Sequence, residues 1–192
     1  MSKSKLPLSD AEAIASAFVS LVAPACTRTL IAGSVRRRKA EIGDIEIVAV
    51  PRTEAELDMF GFPTGAQVSA LDALLDDLAL PRTKNGPKYK QLTYAGTQID
   101  LFLATPETWG CVATIRTGSA DFSRWLVTEL KYGGAKPHHL TFEDGRLLAN
   151  GQALATPEER DVFAALDLPW VAVEDRTEDR TEGRWRGRGR PQ

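Results

Sequence analysis

The stretch Gly33-Ser34-Val35-Arg36-Arg37-Arg38-Lys39-Ala40-Glu41-Ile42-Gly43-Asp44-Ile45-Glu46, followed about fifty residues later by Gln98-Ile99-Asp100-Leu101-Phe102, decides how this chain is read. Residues from Asp44 to Val50 have strand composition, and a two-residue side-chain period puts Asp44 and Glu46 on one face with Ile45 and Ile47 on the other. On a second strand, ending at Leu103, Asp100 alternates with Ile99 and Leu101 and points the same way. Three acids converging from neighbouring strands repel one another unless cations lie between them, which fits a pair of Mg²⁺ or Mn²⁺ ions roughly 3.5–4 Å apart.

The segment before the acids suits a polyphosphate. Gly33 and Ser34 supply a tight turn whose amides and hydroxyl can meet a phosphate oxygen, Arg36 to Lys39 surround it with positive charge, and Gly43 is read as allowing close backbone approach. Taken alone, Asp44 and Glu46 describe a solvated strand face, and Arg36 to Lys39 a solvated turn. The order of turn, acid pair and third acid points instead to two-metal nucleotidyl transfer from a nucleoside triphosphate.

The pattern resembles the palm of the X-family DNA polymerases, the polymerase beta group. Thr117-Gly118-Ser119-Ala120-Asp121-Phe122 is similar to the adjoining nucleotide-binding segment, and Asp144 to Leu147 and Glu158 to Trp170 resemble the closing hairpin and last helix. The resemblance spans roughly residues 8 to 175. It implies that Gly33, Ser34, Arg37 and Gly43 bind the triphosphate. Asp44 and Glu46 would bridge both metals, and Asp100 would bind the catalytic metal and help deprotonate a primer 3′-hydroxyl. Gly118 and Ser119 would pack the sugar, with Phe122 and Ser123 near the base. Three departures stand out: Glu46 replaces an aspartate, Ile115-Arg116 replaces an aromatic pair associated with ribose exclusion, and Ser123 replaces an asparagine. The residues before the first helix are too few for the N-terminal lyase domain of repair members, so a minimal form is expected. Three functions are carried forward: a gap-filling DNA-directed polymerase, a transferase without template or with another acceptor, and a nucleic-acid-binding module with a decayed site.

The implied fold class is α+β. A nucleotidyltransferase-type palm with a mixed sheet flanked by helices is expected over 1–104, a small α+β thumb or nucleotide-binding subdomain over 105–175, and a disordered Arg/Gly-rich tail over 176–192. Helices are predicted over Ala11 to Leu21, over Ala66 to Leu80 from the Val68, Leu71, Leu74, Leu75, Leu78 spacing, from a Thr105-Pro106 start to about Arg116, from Ala120 to about Lys131, and from Thr156. Strands are predicted over Thr27 to Ala32, Tyr89 to Tyr94 and Thr97 to Ala104, with a hairpin at Asp144-Gly145 and a loop from Pro51 to Gly65.

At 192 residues and 43% apolar content the chain can bury a core. Its net charge of −2 is unevenly placed: from Arg176 onward there are six arginines against three acids, leaving −5 on the rest. The tail is read either as a nucleic-acid contact with Trp185 for stacking or as a solubilising segment. Arg82, Lys84, Lys88 and Lys90 precede and enter the strand leading to Asp100, where they can line the path of a DNA backbone. Cys26 and Cys111 lack metal spacing, His138 and His139 read as surface or DNA-backbone residues rather than metal ligands, and no signal peptide or membrane-spanning stretch is evident. A cytoplasmic monomer that binds primer–template or gapped DNA and a (d)NTP, without a membrane, is expected.

Overall fold

The computed structural model describes residues 5–177. Its α+β architecture is built on a five-stranded mixed sheet. In chain order, β1 (Leu6–Pro7) leads into α1 (Leu8–Val22), then β2 (Cys26–Ile31), the single helical turn α2 (Gly33–Arg36), β3 (Glu41–Ile42) and β4 (Ile45–Pro51). A hairpin of β5 (Thr53–Leu57) and β6 (Pro63–Ser69) precedes α3 (Ala70–Asp77), and β7 (Arg82–Asn85), β8 (Tyr89–Tyr94) and β9 (Thr97–Leu103) follow. The remainder is α4 (Trp109–Thr117), α5 (Ala120–Val127), β10 (Leu140–Glu143), β11 (Arg146–Ala149), β12 (Gln152–Leu154) and α6 (Glu159–Ala165).

The sheet order is β2-β4-β9-β8-β7, with β4 and β9 parallel and the other pairs antiparallel. The interior strand β4, between β2 and β9, is largely apolar on both faces, as a strand covered on both sides must be. Ile45, Ile47 and Ala49 meet Phe18 and Val22 of α1 and Leu71 and Leu75 of α3 in one core. Val48 and Val50 join Phe102 and the α4 residues Trp109, Val112 and Ala113 in another. Glu46 interrupts this second face, so the carboxylate stands where α4 comes down on the sheet. A further core, formed by Phe122, Leu126, Leu140, Leu147, Val162 and Phe163 among others, holds α5, α6 and the β10–β11 hairpin together.

Local signals and observed elements part company in several places. The expected Pro51 to Gly65 loop is largely the β5–β6 hairpin, and the helix read from Ala66 begins only at Ala70. The Val68–Leu71 spacing is helical, but residues up to Ser69 pair with Thr53–Leu57, and the Ser69 hydroxyl accepts the Asp72 amide at 3.1 Å to start the helix. Thr105 and Pro106 lie in a turn that closes on Thr108, so α4 starts at Trp109. Helix α5 stops at Val127 because Thr128 is extended, and α6 starts at Glu159, where the Glu158 amide donates to Asp161 at 2.7 Å in a reciprocal capping box.

The segment Leu8–Ala25 is 18 residues with mean hydropathy 1.3, long and apolar enough to cross a membrane, contrary to the expectation from sequence. Ala11, Ala15, Phe18 and Val22 are fully buried against the sheet, which is the environment of a core helix.

Candidate functional site: a carboxylate pair under an arginine

The parallel register of β4 and β9 sets Glu46 opposite Asp100, so the two-residue period carries both carboxylates to the α4 face. Asp44 lies one residue ahead of β4, half-buried, and its charge acts on Glu46. Burial, then the Asp44 charge, push the Glu46 carboxyl up to about 7. Arg116 and Arg37 oppose that rise and Asp100 adds to it. Among the described residues no three His, Cys, Asp or Glu side chains gather closely enough to hold a metal ion. Glu46 and Asp100 are therefore brought together, and Asp44 is a neighbour rather than a converging third ligand.

Asp100 is held by three donors that the sequence reading missed. Its Oδ1 accepts from the Tyr89 hydroxyl at 2.8 Å and from Nε2 of Gln91 and of Gln98 at 3.0 and 2.9 Å. Tyr89 and Gln91 share a face of β8, and Gln91 is the register partner of Asp100. The two-residue period of β8 carried that signal. Burial and the bond to Asp100 push the Tyr89 hydroxyl up to about 12, so it stays a donor.

Gly33 opens α2 with φ +59, and a Cβ there would overlap the Glu46 carboxylate. The turn is thus docked on the acid, and Ala32 N donates to Glu46 O at 2.8 Å to fix it. The first amides of a helical turn have no partner within the turn, which leaves those of Gly33 and Ser34 suited to an anion. Gly43 does not behave as expected: its φ is not positive and a Cβ would meet nothing within 4 Å, so no close approach depends on it.

The arginine run has divided duties. Arg36 donates to Thr117 Oγ1 and Glu159, both at 2.7 Å, and Arg37 donates to the Thr117 carbonyl. Glu159 in turn accepts from Arg176 at 2.6 Å. Burial works to raise the Glu159 carboxyl, but the Arg36 hydrogen bond and the Arg176 charge outweigh it and hold it below the ordinary range. Arg176 is fully buried and its carbonyl accepts Ser119 N at 2.9 Å, so the folded part includes the first residue of the expected tail. Residues 178–192, with the rest of the tail and Trp185, lie outside the described residues.

The segment expected to meet sugar and base is placed differently. Gly118 is a close-approach position, since a Cβ would overlap the Phe122 ring. Phe122 is fully buried in the C-terminal core, which removes it from base contact. The buried Ser119 hydroxyl caps α5 by accepting Phe122 N at 3.1 Å, and Ser123 donates to Ile115 O at 2.8 Å.

Nor do the four cations form one patch. Lys84, opposite Gln91, lies on the carboxylate face over the Tyr89 ring, and Lys88 pairs with Asp144 at 3.0 Å across the mouth of the site. Arg82 pairs with Asp76. Lys90, opposite Leu101, points to the face covered by α1 and α3, where it is 3% exposed and bound to Asp72 and Asn85 at 2.5 and 2.7 Å. It is a structural ion pair and corrects the expectation of a DNA contact. His138 and His139 are exposed, whereas Cys26 and Cys111 are buried thiols pushed up to about 11 and 12 by burial.

Glu46, Tyr89, Asp100, Phe102 and Arg116 line a cavity of about 630 Å³ that runs beneath α4 toward the β10–β11 turn. The Arg116 guanidinium lies 3.8 Å from the centre of the Phe102 ring, and Phe102 stacks on Tyr89 at 4.9 Å.

Comparison of the sequence with curated proteins finds a likeness to a DNA polymerase. The chain is 29% identical over 154 residues to DNA polymerase lambda of Rattus norvegicus, an alignment covering 72% of this chain and 26% of the relative. It thus spans about a quarter of that protein's length. No protein-family profile matches the chain.

Proposed function

We propose that this chain transfers a nucleotidyl group from a (d)NTP to a nucleic-acid 3′-hydroxyl, as a minimal X-family DNA polymerase acting at gaps in DNA. The observation that carries the reading is the Glu46–Asp100 register pair, with the Gly33 turn seated on Glu46. The distant likeness to rat DNA polymerase lambda supports the class of reaction.

Two carboxylates on one face offer a divalent cation a partial donor set, which substrate phosphates and water would complete. Two carboxylates stand on adjacent strands, a third acid bears on them, and the resulting repulsion helps hold Glu46 partly protonated, a condition that a cation relieves. Glu46 and Asp100 would hold Mg²⁺ or Mn²⁺, with Asp44 adjusting to join them, and the ion would supply acidity to the attacking hydroxyl and charge for the phosphates. The chain's own residues do the rest. Tyr89, Gln91 and Gln98 orient Asp100 by one oxygen, leaving the other for the primer hydroxyl or the cation. Gly33 and Ser34 present amides to the triphosphate, and Arg37 adds charge while its bond to the Thr117 carbonyl ties α2 to the end of α4. Lys84 and Lys88 on the carboxylate side meet the DNA backbone, whereas Arg82, opposite the buried Leu92 and paired with Asp76, lies toward α3. As an enzyme of DNA repair it would work inside the cell, as a monomer.

Extension of a labelled primer on a one-nucleotide gapped duplex, with each dNTP singly and Mg²⁺ or Mn²⁺, tests this beside an Asp100→Asn control. Template-matched addition lost in the control is expected. Equal addition to an untemplated single strand would move the reading to a terminal transferase, and no addition with retained DNA binding would move it to a decayed site.

A further inference from the structure

Arg116 occupies a position that the transfer chemistry alone does not require. It lies in the last turn of α4, and its guanidinium rests on the Phe102 ring at 3.8 Å. Phe102 is itself stacked on Tyr89, whose hydroxyl donates to Asp100 at 2.8 Å. Arg116 is solvent-exposed as a residue, but a planar guanidinium over an aromatic face is held by the ring's quadrupole, which gives this long side chain a preferred position over Phe102. The contact sets a positive charge at the wall of the same cavity as Glu46 and Asp100, and that charge acts on both carboxylates.

We propose that Arg116 is the resident counter-cation of the Glu46–Asp100 pair, a positioning residue that competes electrostatically with the divalent ion and so sets how tightly the ion is held. The proposal rests on the reading of those carboxylates as a metal site. In the ion-free protein the guanidinium relieves part of their repulsion. When the ion enters, it meets carboxylates already partly neutralised and binds more weakly than the acids alone would dictate. Removing one unit charge that acts across several ångströms of partly hydrated protein changes cation affinity by roughly tenfold.

The test is Mn²⁺ binding to the nucleotide-free full chain, followed by the loss of the free-ion electron paramagnetic resonance signal. Wild type is compared with Arg116→Gln, with Arg116→Met, which keeps the aliphatic stem on Phe102, with Arg116→Lys, and with Asp100→Asn. The expected result is roughly tenfold tighter Mn²⁺ binding in both neutral variants, wild-type affinity in the lysine variant, and weakened binding in Asp100→Asn. A merely structural role for Arg116 would not be rescued by charge. If the neutral variants bind Mn²⁺ as wild type does or more weakly, while Asp100→Asn still weakens binding, the proposal is overturned and the metal site stands. If wild type and Asp100→Asn bind Mn²⁺ alike, the carboxylates are not a metal site, and the proposal falls together with the proposed function.

Discussion

Gly33 and Glu46 are in contact across the first turn of the site, so that any side chain at Gly33 would displace the Glu46 carboxylate. The contact couples the segment suited to phosphate with the acid near the start of β4. Residue 33 also has φ +59, where side chains other than glycine are strained by roughly 1 kcal/mol.

Gly33→Ala should therefore damage the site more than the fold. A loss of about 1–3 kcal/mol in stability is expected from strain and overlap together. A fall of at least tenfold in nucleotide affinity should accompany it, as read by fluorescent-nucleotide titration. Gly43→Ala, at a position with open space and no positive φ, should leave both quantities near wild type.

Glu46 gives the ion-free protein a pH-dependent stability. Its carboxyl is raised from 4.5 to about 7, chiefly by burial and then by Asp44, so the native state holds a proton that the unfolded chain releases. The stabilisation is fully present below about pH 4.5 and is lost as pH rises through about 7. Glu46→Gln, neutral throughout, should melt close to wild type at pH 4.5 and higher than wild type at pH 8, by up to about 3 kcal/mol in chelator. Equal melting temperatures at pH 8 would show that Glu46 carries no such strain, and saturating Mg²⁺ should narrow the difference.

The arginine pairs that Glu158 and Glu159 make with Arg28 and Arg36 should differ sharply in worth. Glu159 lies between Arg36 and the fully buried Arg176, and Glu159→Ala leaves both cations uncompensated at a cost of about 3–5 kcal/mol. Arg28 and Glu158 meet through two bonds of 2.8 Å, but both are largely exposed, and Arg28→Ala should cost about 1 kcal/mol, including the lost stacking on Trp109. Urea denaturation of the two variants separates these outcomes.

Sugar discrimination should be weak. Ile115 and Arg116 stand at the end of α4, where the resemblance places an aromatic pair, and Arg116 is drawn away onto Phe102. Ribonucleotides should be incorporated with kcat/KM comparable to deoxynucleotides; a deoxynucleotide preference above about a hundredfold, or about 2.7 kcal/mol, contradicts this.

Local chemistry was legible in the chain. The alternation of Asp44 to Val50 and of Gln98 to Leu103, the Gly-Ser turn and the order of the acids describe two strands and a phosphate-suited turn, because side-chain period and turn propensity act within a few residues. They do not say which strands are neighbours. The parallel register that sets Glu46 beside Asp100, the three donors on Asp100, and the Arg36–Glu159–Arg176 cluster join residues far apart in the chain, and only the packed sheet and its covering helices decide them. The same cause explains the misplacements. Lys90 reads as a free cation until β8 pairs with β9 and turns it toward Asp72, and residues 66–69 read as helix until β5 offers their backbone hydrogen bonds a better partner. A strand's faces follow from sequence alone, but which face is wet follows from what folds over it.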